Sequence, residues 1–253
     1  MSTAVDRDGE EIQRRMLEYE HWYHRIELAP GIVTPGVMDS QDALAVLDAL
    51  GLPPCLEGLR ALDVGCQDGA FTFALEQRGA RVVAIDYVEP GASGFVLARS
   101  ILGSQAEYRT LNVYDVSPES LGRFDIVLFL GVLYHLRNPL LAFDRIHSVC
   151  EVGALLFVET QLSTSQTVQA LQEPLFQLYP HDTLYGDATN KWAPNISGLQ
   201  AIVEESQFRV ERSLQRGDRG WCQGRAIEND RLEFHRRLDS STGLWHRGGT
   251  GGR

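Results

Sequence analysis

The chain predicts an α/β protein built on a doubly wound, mostly parallel seven-stranded sheet with helices on both faces. Three observations carry this expectation. Apolar runs of strand length alternate with helix-length amphipathic segments through most of the 253 residues, which is the signature of repeated βαβ units. The runs IVLFLG at 126–131 and ALLFVET at 154–160 are almost continuously apolar, as strands covered on both faces are. The run RALDVG at 60–65 ends in a glycine turn that opens directly into AFTFALEQRGA, and open α/β sheets hold ligands at such strand ends.

The elements follow in order. Glu10 to Tyr23 predicts an amphipathic helix, with Ile12, Met16, Tyr19 and Tyr23 near one face. GIVTPG then turns the chain. Ser40 is the expected N-cap of a helix through Leu50, and Pro53 and Pro54 stop it. Strands are expected near 60–64, 81–86, 106–113, 126–131 and 154–160, with helices near 69–77, 91–102 and 138–149. Residues 161–195 are rich in Thr, Ser, Gln, Tyr and Pro and show little periodicity. A stretch this long without a clear element is read as a functional lid over the substrate side. Asn195-Ile196-Ser197 heads a further helix to about Ser206, and Phe208–Leu214 and Arg225–Glu228 are the last expected strands. The expected organisation is an N-terminal helical cap at 1–55, a core at 56–238 carrying the lid, and a flexible tail at 239–253. The tail ends in RGGTGGR, which reads as native tail or cloning remnant.

Composition narrows the class. Hydrophobic residues make up 43% and charged residues 23%, ordinary for a globular core. No apolar run approaches the ~18 residues of a membrane span. The polar, acidic start MSTAVDRDGEE does not resemble a secretory signal. Cys55, Cys66, Cys150 and Cys222 are scattered without metal-ligand spacing, so no metal is expected and the setting is read as reducing and cytoplasmic. Charge is uneven: residues 1–205 hold 13 basic and 28 acidic side chains, residues 206–253 hold 10 and 6. An acidic body disfavours polyanions, which argues against a nucleic-acid partner, while the basic tail keeps that reading open. Oligomeric state is not legible.

The turn after the first strand narrows the ligand. A dinucleotide fingerprint needs three spaced glycines, G-x-G-x-x-G/A. Here the order is Gly65-Cys66-Gln67-Asp68-Gly69-Ala70, so a pyrophosphate would meet the Gln67 side chain. No Gly-Lys-Ser/Thr follows, so there is no phosphate loop. Asp63 precedes the turn and Asp68 lies inside it, and acids suit a cation better than a phosphate. Asp86 ends the second strand 23 residues after Asp63, where a carboxylate takes ribose hydroxyls. An adenosine carrying a sulfonium and an ammonium group satisfies all three constraints.

DVGCQDG at 63–69, AID at 84–86, YDVSP at 114–118 and FDIVLFLGVLYHLRNP at 124–139 together resemble class I S-adenosylmethionine-dependent methyltransferases, a Rossmann-like group. The resemblance runs from about Leu59 to Leu162, plus a C-terminal helix and strand region. GVLYHLRNP and the N-terminal WYHRIELAPGIVTPG look most like the branch related to the bacterial tRNA wobble-uridine carboxymethyltransferase. The resemblance implies S-adenosyl-L-methionine as cofactor. It places Asp63, Gly65, Cys66, Gln67, Asp68 and Gly69 around the methionyl end and Asp86 on the ribose. Tyr87 and Val88 would border the adenine, with Tyr114 and Asp115 closing over it. Leu130 would end the strand beneath the reacting centre.

Beyond Leu130, Tyr134 and His135 would face donor and acceptor. His135 is the candidate general base, since imidazole titrates near neutrality. The competing reading is a structural histidine holding the loop to Arg137 or to a carbonyl. Trp22, Tyr23 and His24 form an aromatic cluster expected near the acceptor, although as a bare pattern it also reads as packing. Glu159 ends an apolar strand, and Trp192 and Asn195 belong to a W-x-P-N element after the lid. Arg137, Tyr134 and these residues complete the expected substrate side. One departure is informative. The wobble-uridine enzyme holds a carboxylated cofactor partly through an N-terminal lysine, and here the only lysine is Lys191. Its tyrosine has a counterpart in Tyr134, and Arg225 and Arg231 are the candidates for its C-terminal arginine. The expected activity is therefore methyl transfer to a small-molecule hydroxyl. Alternatives are tRNA wobble-uridine modification and a catalytically silent cofactor-binding module.

Overall fold

The computed structural model describes residues 2–228. Seven strands form one sheet: β1 (Arg60–Val64), β2 (Arg81–Asp86), β3 (Glu107–Thr110), β4 (Phe124–Leu130), β5 (Cys150–Gln161), β6 (Phe208–Arg216) and β7 (Arg219–Ala226). Their spatial order is β6-β7-β5-β4-β1-β2-β3. All pairings are parallel except those of β7, which runs antiparallel to β5 and β6. The predicted fold class is the one observed. The described helices include α1 (Ser2–Met16), α2 (Ser40–Ala49), α3 (Ala70–Gln77), α4 (Phe95–Leu102), α5 (Pro139–Ser148) and α6 (Ile196–Glu205).

The central strands β1, β2, β4 and β5 are largely buried on both sides, which is why they lack polar alternation. In β4, Val127 and Phe129 pack with Phe143 and Ile146 of α5 and Leu199 and Val203 of α6. Ile126, Leu128 and Leu130 pack on the opposite face with Leu44 and Leu47 of α2 and Phe71 and Leu75 of α3. A third cluster joins Met16, Trp22, Ile26 and Leu28 to Phe73, Phe95 and Leu97, fixing the N-terminal segment over one end of the sheet. The four cysteines are unpaired thiols. Among the described residues no helix is long and apolar enough to cross a membrane.

Several boundaries differ from expectation for local reasons. The first helix stops at Met16 instead of Tyr23. Trp22 folds back so that its indole N–H donates to the Met16 carbonyl at 3.1 Å. Its ring lies where a Cβ on Gly94 would fall 2.1 Å away, so only glycine fits beneath it. GIVTPG supplies part of a small hairpin, Glu27–Ala29 against Ile32–Val33. The N-cap of α2 is Asp39, whose carboxylate accepts from the amides of Gln41 and Asp42. Ser40 instead donates its hydroxyl to the Arg25 carbonyl at 2.8 Å. β3 ends at Thr110, because Asn112 caps a tight turn over Val113–Asp115. The final strands form a longer hairpin than expected, turning at Gly217–Asp218. Its polar residues lie on an exposed edge and hide the strand period.

The segment 161–195 is more ordered than its composition predicts. Gln161 closes β5, Gln166–Ala170 is a short helix, and Phe176–Leu178 pairs antiparallel with Trp192–Pro194. Tyr179, Leu184 and Ala193 form a small core inside it. Arg231, the 238/239 boundary and the RGGTGGR end lie outside the described residues.

Candidate active site

A cavity of about 640 Å³ opens over the carboxyl ends of β1, β2 and β4. This is the switch point of the sheet, where β1 is flanked by β2 on one side and β4 on the other. The turn after β1 reaches it by an unusual backbone. Gly65, Gln67 and Gly69 take φ values of 75°, 50° and 88°, so alternate residues sit in the left-handed region. At Gly65 a Cβ would also lie 2.5 Å from Val132 Cγ2, so glycine keeps the floor open. Asp86 anchors the other side. Its carboxylate accepts from the amides of Gln67 at 3.0 Å and Val88 at 3.4 Å, which leaves acceptor capacity toward the cavity. Asp63 lies beneath the turn, accepting from the Thr72 hydroxyl at 2.6 Å. Burial pushes its carboxyl up to about 6, against the hydrogen bond.

The far end of the cavity is polar and is built by four separate segments. From the loop after β4 come Tyr134, His135 and Arg137. From β5 and β7 come Glu159, Gln161 and Arg219. The segment after residue 180 contributes Tyr185, Asp187, Thr189 and Asn190. Arg219 Nη2 donates to Glu159 Oε2 at 2.8 Å, its Nε also donates to that carboxylate, and Nη1 donates to Gln161 Oε1 at 3.2 Å. Its guanidinium lies 5.1 Å from the centre of the Tyr134 ring. Burial works against the Arg219 charge, but the Glu159 carboxylate outweighs it and holds the group above its usual range. A Cβ on Gly131 would lie 3.8 Å from the Tyr134 hydroxyl and 3.9 Å from Glu159 Oε2, so these groups converge just beyond β4. Burial pushes the Tyr134 phenol up, which keeps it a hydrogen donor. Burial pulls His135 below its ordinary value, against the opposing effects of Thr189 and Asp187.

The structure brings most of the expected residues together. Asp63, Gly65, Gln67, Asp86, Tyr87, Tyr114, Leu130, Tyr23, His24, Tyr134, His135, Arg137 and Glu159 all line the cavity. Others do not, and each does something else. Asp68 is buried, and its carboxylate accepts from the amides of Tyr23, His24 and Gly94, so it clamps the N-terminal segment to the turn. Cys66 is buried in the cluster beneath. Gly69 is a packing position, since a Cβ there would lie 2.7 Å from the Phe95 ring. Val88 accepts from the Tyr108 hydroxyl through its carbonyl and lies outside the lining. Asp115 is exposed, and the polar side chain lining the cavity at that corner is Asn112. Trp22 is core. Trp192 sits in the lid ladder opposite Leu178. Asn195 caps α6 through Gly198 N and donates to the carbonyls of Val168, Leu171 and Glu173. Arg225 pairs with Glu211 on the outer hairpin at 2.7 Å, away from the cavity.

Sequence reasoning missed Arg219, Gln161, Asn112, Asp187 and Thr189. Arg219 stands opposite Gln161 in the β7–β5 register, and that register follows only from knowing that β7 inserts antiparallel between β5 and β6. No spacing in the chain announces it.

A parallel sheet reversed at its last hairpin, with the cavity above β1 and β4, is the architecture of the class I S-adenosylmethionine-dependent methyltransferases, and the protein is of that class. Over residues 38–213 the chain matches the family described as a methyltransferase domain; it belongs to that family. The ubiquinone biosynthesis O-methyltransferase of Azotobacter vinelandii is 34% identical over 105 residues, 42% of this chain and 45% of that protein. The enzyme of the same description from Xanthomonas campestris pv. campestris (strain B100) is 35% identical over 115 residues, 45% and 48%. This chain thus spans about half the length of the curated relatives it matches. Among solved structures, the N-terminal domain of EvdMO1, crystallised in the presence of SAH and D-fucose, aligns with a TM-score of 0.61 at 24% identity, covering 87% of this chain and 97% of that one. The 1,6-didemethyltoxoflavin-N1-methyltransferase of Burkholderia thailandensis, bound to 1,6-didemethyltoxoflavin and S-adenosylhomocysteine, aligns at 0.56 and 19%, covering 74% and 78%. At these identities the likeness is one of fold.

The cavity suits S-adenosylmethionine on its own chemistry. Asp86 offers carboxylate lone pairs for ribose hydroxyls, and the buried Asp63 offers negative charge near a cationic group. Tyr87, Leu111 and Val113 supply apolar surface for a base, and the glycine floor leaves room for close approach.

Proposed function

We propose that the protein transfers a methyl group from S-adenosylmethionine to a hydroxyl oxygen of a small, polyhydroxylated acceptor, with His135 as general base. The observation that carries this is the His135 imidazole in the cavity wall just past β4, its ring centre 4.2 Å from that of Tyr134, beside the convergence of Tyr134 and Glu159. When bound, the cofactor supplies an activated methyl on a sulfonium. The protein then aligns the acceptor, excludes water and receives the hydroxyl proton. His135 takes that proton, and the Tyr134 phenol donates to the acceptor. The segment around 180–191 acts as a lid. Its Lys191 amide donates to the Tyr134 carbonyl at 2.7 Å, which ties it to the catalytic loop.

The acceptor class rests on the wall. Tyr23, Tyr134, Glu159, Gln161, Asp187 and Arg219 offer donors and acceptors in place of the apolar surface that a flat hydrocarbon acceptor requires. The fold neighbour crystallised with D-fucose accords with a sugar-like ring. The ubiquinone-biosynthesis relatives favour a phenolic hydroxyl as the second reading. The test is turnover on methyl 6-deoxyhexosides and on catechol, read as S-adenosylhomocysteine release. A hydroxyl acceptor from either set supports oxygen transfer; turnover confined to amines opposes it.

The tRNA wobble-uridine reading is disfavoured by charge. The N-terminal lysine that would hold a carboxylated cofactor is missing, the only lysine being Lys191, and the Arg219 guanidinium in the cavity is already paired with Glu159. Competition calorimetry is expected to show S-adenosylmethionine bound at least about tenfold more tightly than its carboxylated form, since a charge-assisted contact is missing. Tighter binding of the carboxylated form would revive that reading.

Asp63 gives a pH signature. In the free protein its carboxyl titrates near 6. Its raised value favours folding below about 4, and that contribution is lost as pH rises through about 6. Binding has the opposite sign, because only ionised Asp63 attracts a cation. Affinity for S-adenosylmethionine is therefore expected to rise by about threefold or more from pH 5 to 7. Calorimetry should show Asp63→Asn flattening this rise; an unchanged profile in the variant would remove Asp63 from the interaction.

A further inference from the structure

His135 does not enter the cavity alone. Its Nδ1 lies 3.0 Å from the Thr189 hydroxyl oxygen, 54 residues away in sequence. The same hydroxyl lies 2.7 Å from Asp187 Oδ1, which also accepts from the Thr189 amide at 2.7 Å. A threonine hydroxyl has one hydrogen, and an ionised carboxylate can only accept. The Thr189 hydrogen therefore points to Asp187. What the hydroxyl presents to His135 is a lone pair, so the 3.0 Å contact is a hydrogen bond only when Nδ1 carries the ring hydrogen. That leaves Nε2 with a free lone pair.

We infer that Thr189 and Asp187 are positioning residues that hold His135 in its Nδ1–H tautomer, so that Nε2 is the atom that takes the acceptor proton. The inference rests on the general-base reading of His135. It gives the lid a chemical role, because the base is complete only when the segment carrying Asp187 and Thr189 is seated on the loop after β4. The Lys191 amide bond to the Tyr134 carbonyl and the Tyr185 hydroxyl bond to Asp218 at 2.6 Å hold that segment in place. The charges facing the ring come from every side. Burial, the largest effect, opposes the protonated ring, as do Arg219 and Lys191, whereas a hydrogen bond to the Thr189 backbone and the Asp187 charge favour it. Tyr134 packs against it with ring centres 4.2 Å apart. Asp187 itself is held below its usual range by the two Thr189 bonds, so it stays an acceptor through the neutral range.

The test is the nitrogen NMR spectrum of the histidine-labelled protein near pH 8, with His135→Gln used to assign the ring signals. The wild type is expected to show His135 protonated at Nδ1. Thr189→Val, which removes the hydroxyl at nearly constant volume, should lose that preference and about tenfold in kcat, with cofactor affinity within about threefold. Thr189→Ser should restore both. Asp187→Asn removes the charge that favours imidazolium, so the acid limb of kcat/KM should move to lower pH while the plateau falls. A wild-type His135 protonated at Nε2 overturns the inference, and so does a Thr189→Val protein with unchanged kcat. Full turnover in His135→Gln would instead bring down the base itself, a result separable from any tautomer seen in the spectrum.

Discussion

His135→Ala should cut turnover by about 10²–10⁴-fold, the usual worth of a general base, while S-adenosylmethionine affinity stays within about threefold. The proposed cofactor cradle is built from the ends of β1 and β2, whereas His135 stands beyond β4 against Thr189. Its loss therefore leaves Asp63, Gly65 and Asp86 in place. The residual rate should also lose its neutral-range pH dependence, because the titrating group is gone. A structural histidine would behave differently. It would lower the melting temperature, weaken cofactor binding and reduce the rate modestly, all together. A well-folded variant retaining more than about a tenth of wild-type turnover would retire the assignment.

Asp86→Ala should weaken S-adenosylmethionine binding by about 1.5–3 kcal/mol, roughly tenfold to a hundredfold, the worth of a charged hydrogen-bond acceptor. Two effects combine. The variant loses the carboxylate at the end of β2, and it frees the amides of Gln67 and Val88 that this carboxylate holds. S-adenosylhomocysteine should lose a similar amount, since both ligands carry the same ribose. Calorimetry on the two ligands measures this. Equal affinity in variant and wild type would mean that the ribose lies elsewhere.

The two halves of the site differ in how far the chain announces them. The cofactor half is local. Strand, turn, helix, strand and acid follow one another within 60–86, so their contacts are fixed by a single βαβ unit. What the local pattern leaves open is direction. Asp68 reads in sequence as a ligand-facing acid, but its carboxylate turns back to hold Tyr23 and His24, a partner 44 or more residues away that no turn pattern encodes. The acceptor half is tertiary. Arg219 meets Glu159 only because β7 runs antiparallel beside β5, and Thr189 meets His135 only because the lid folds over β4. Asn195 shows the converse. It is a polar residue in a recognisable element, which points to the cavity, yet its amide is wholly spent on capping α6 and closing the lid. The sheet itself is legible because burial on both faces leaves a continuous apolar run such as IVLFLG.

Methyl transfer from S-adenosylmethionine to oxygen is tested most directly with a cofactor labelled with carbon-13 in its methyl group. The protein is incubated with this cofactor and with the methyl 6-deoxyhexosides and catechol named above. The product is then read by carbon–proton correlation. The expected result is a labelled methyl ether that forms with wild type and falls to near background with His135→Ala. Label on nitrogen or carbon, or equal label with His135→Ala, would contradict transfer to oxygen by this base.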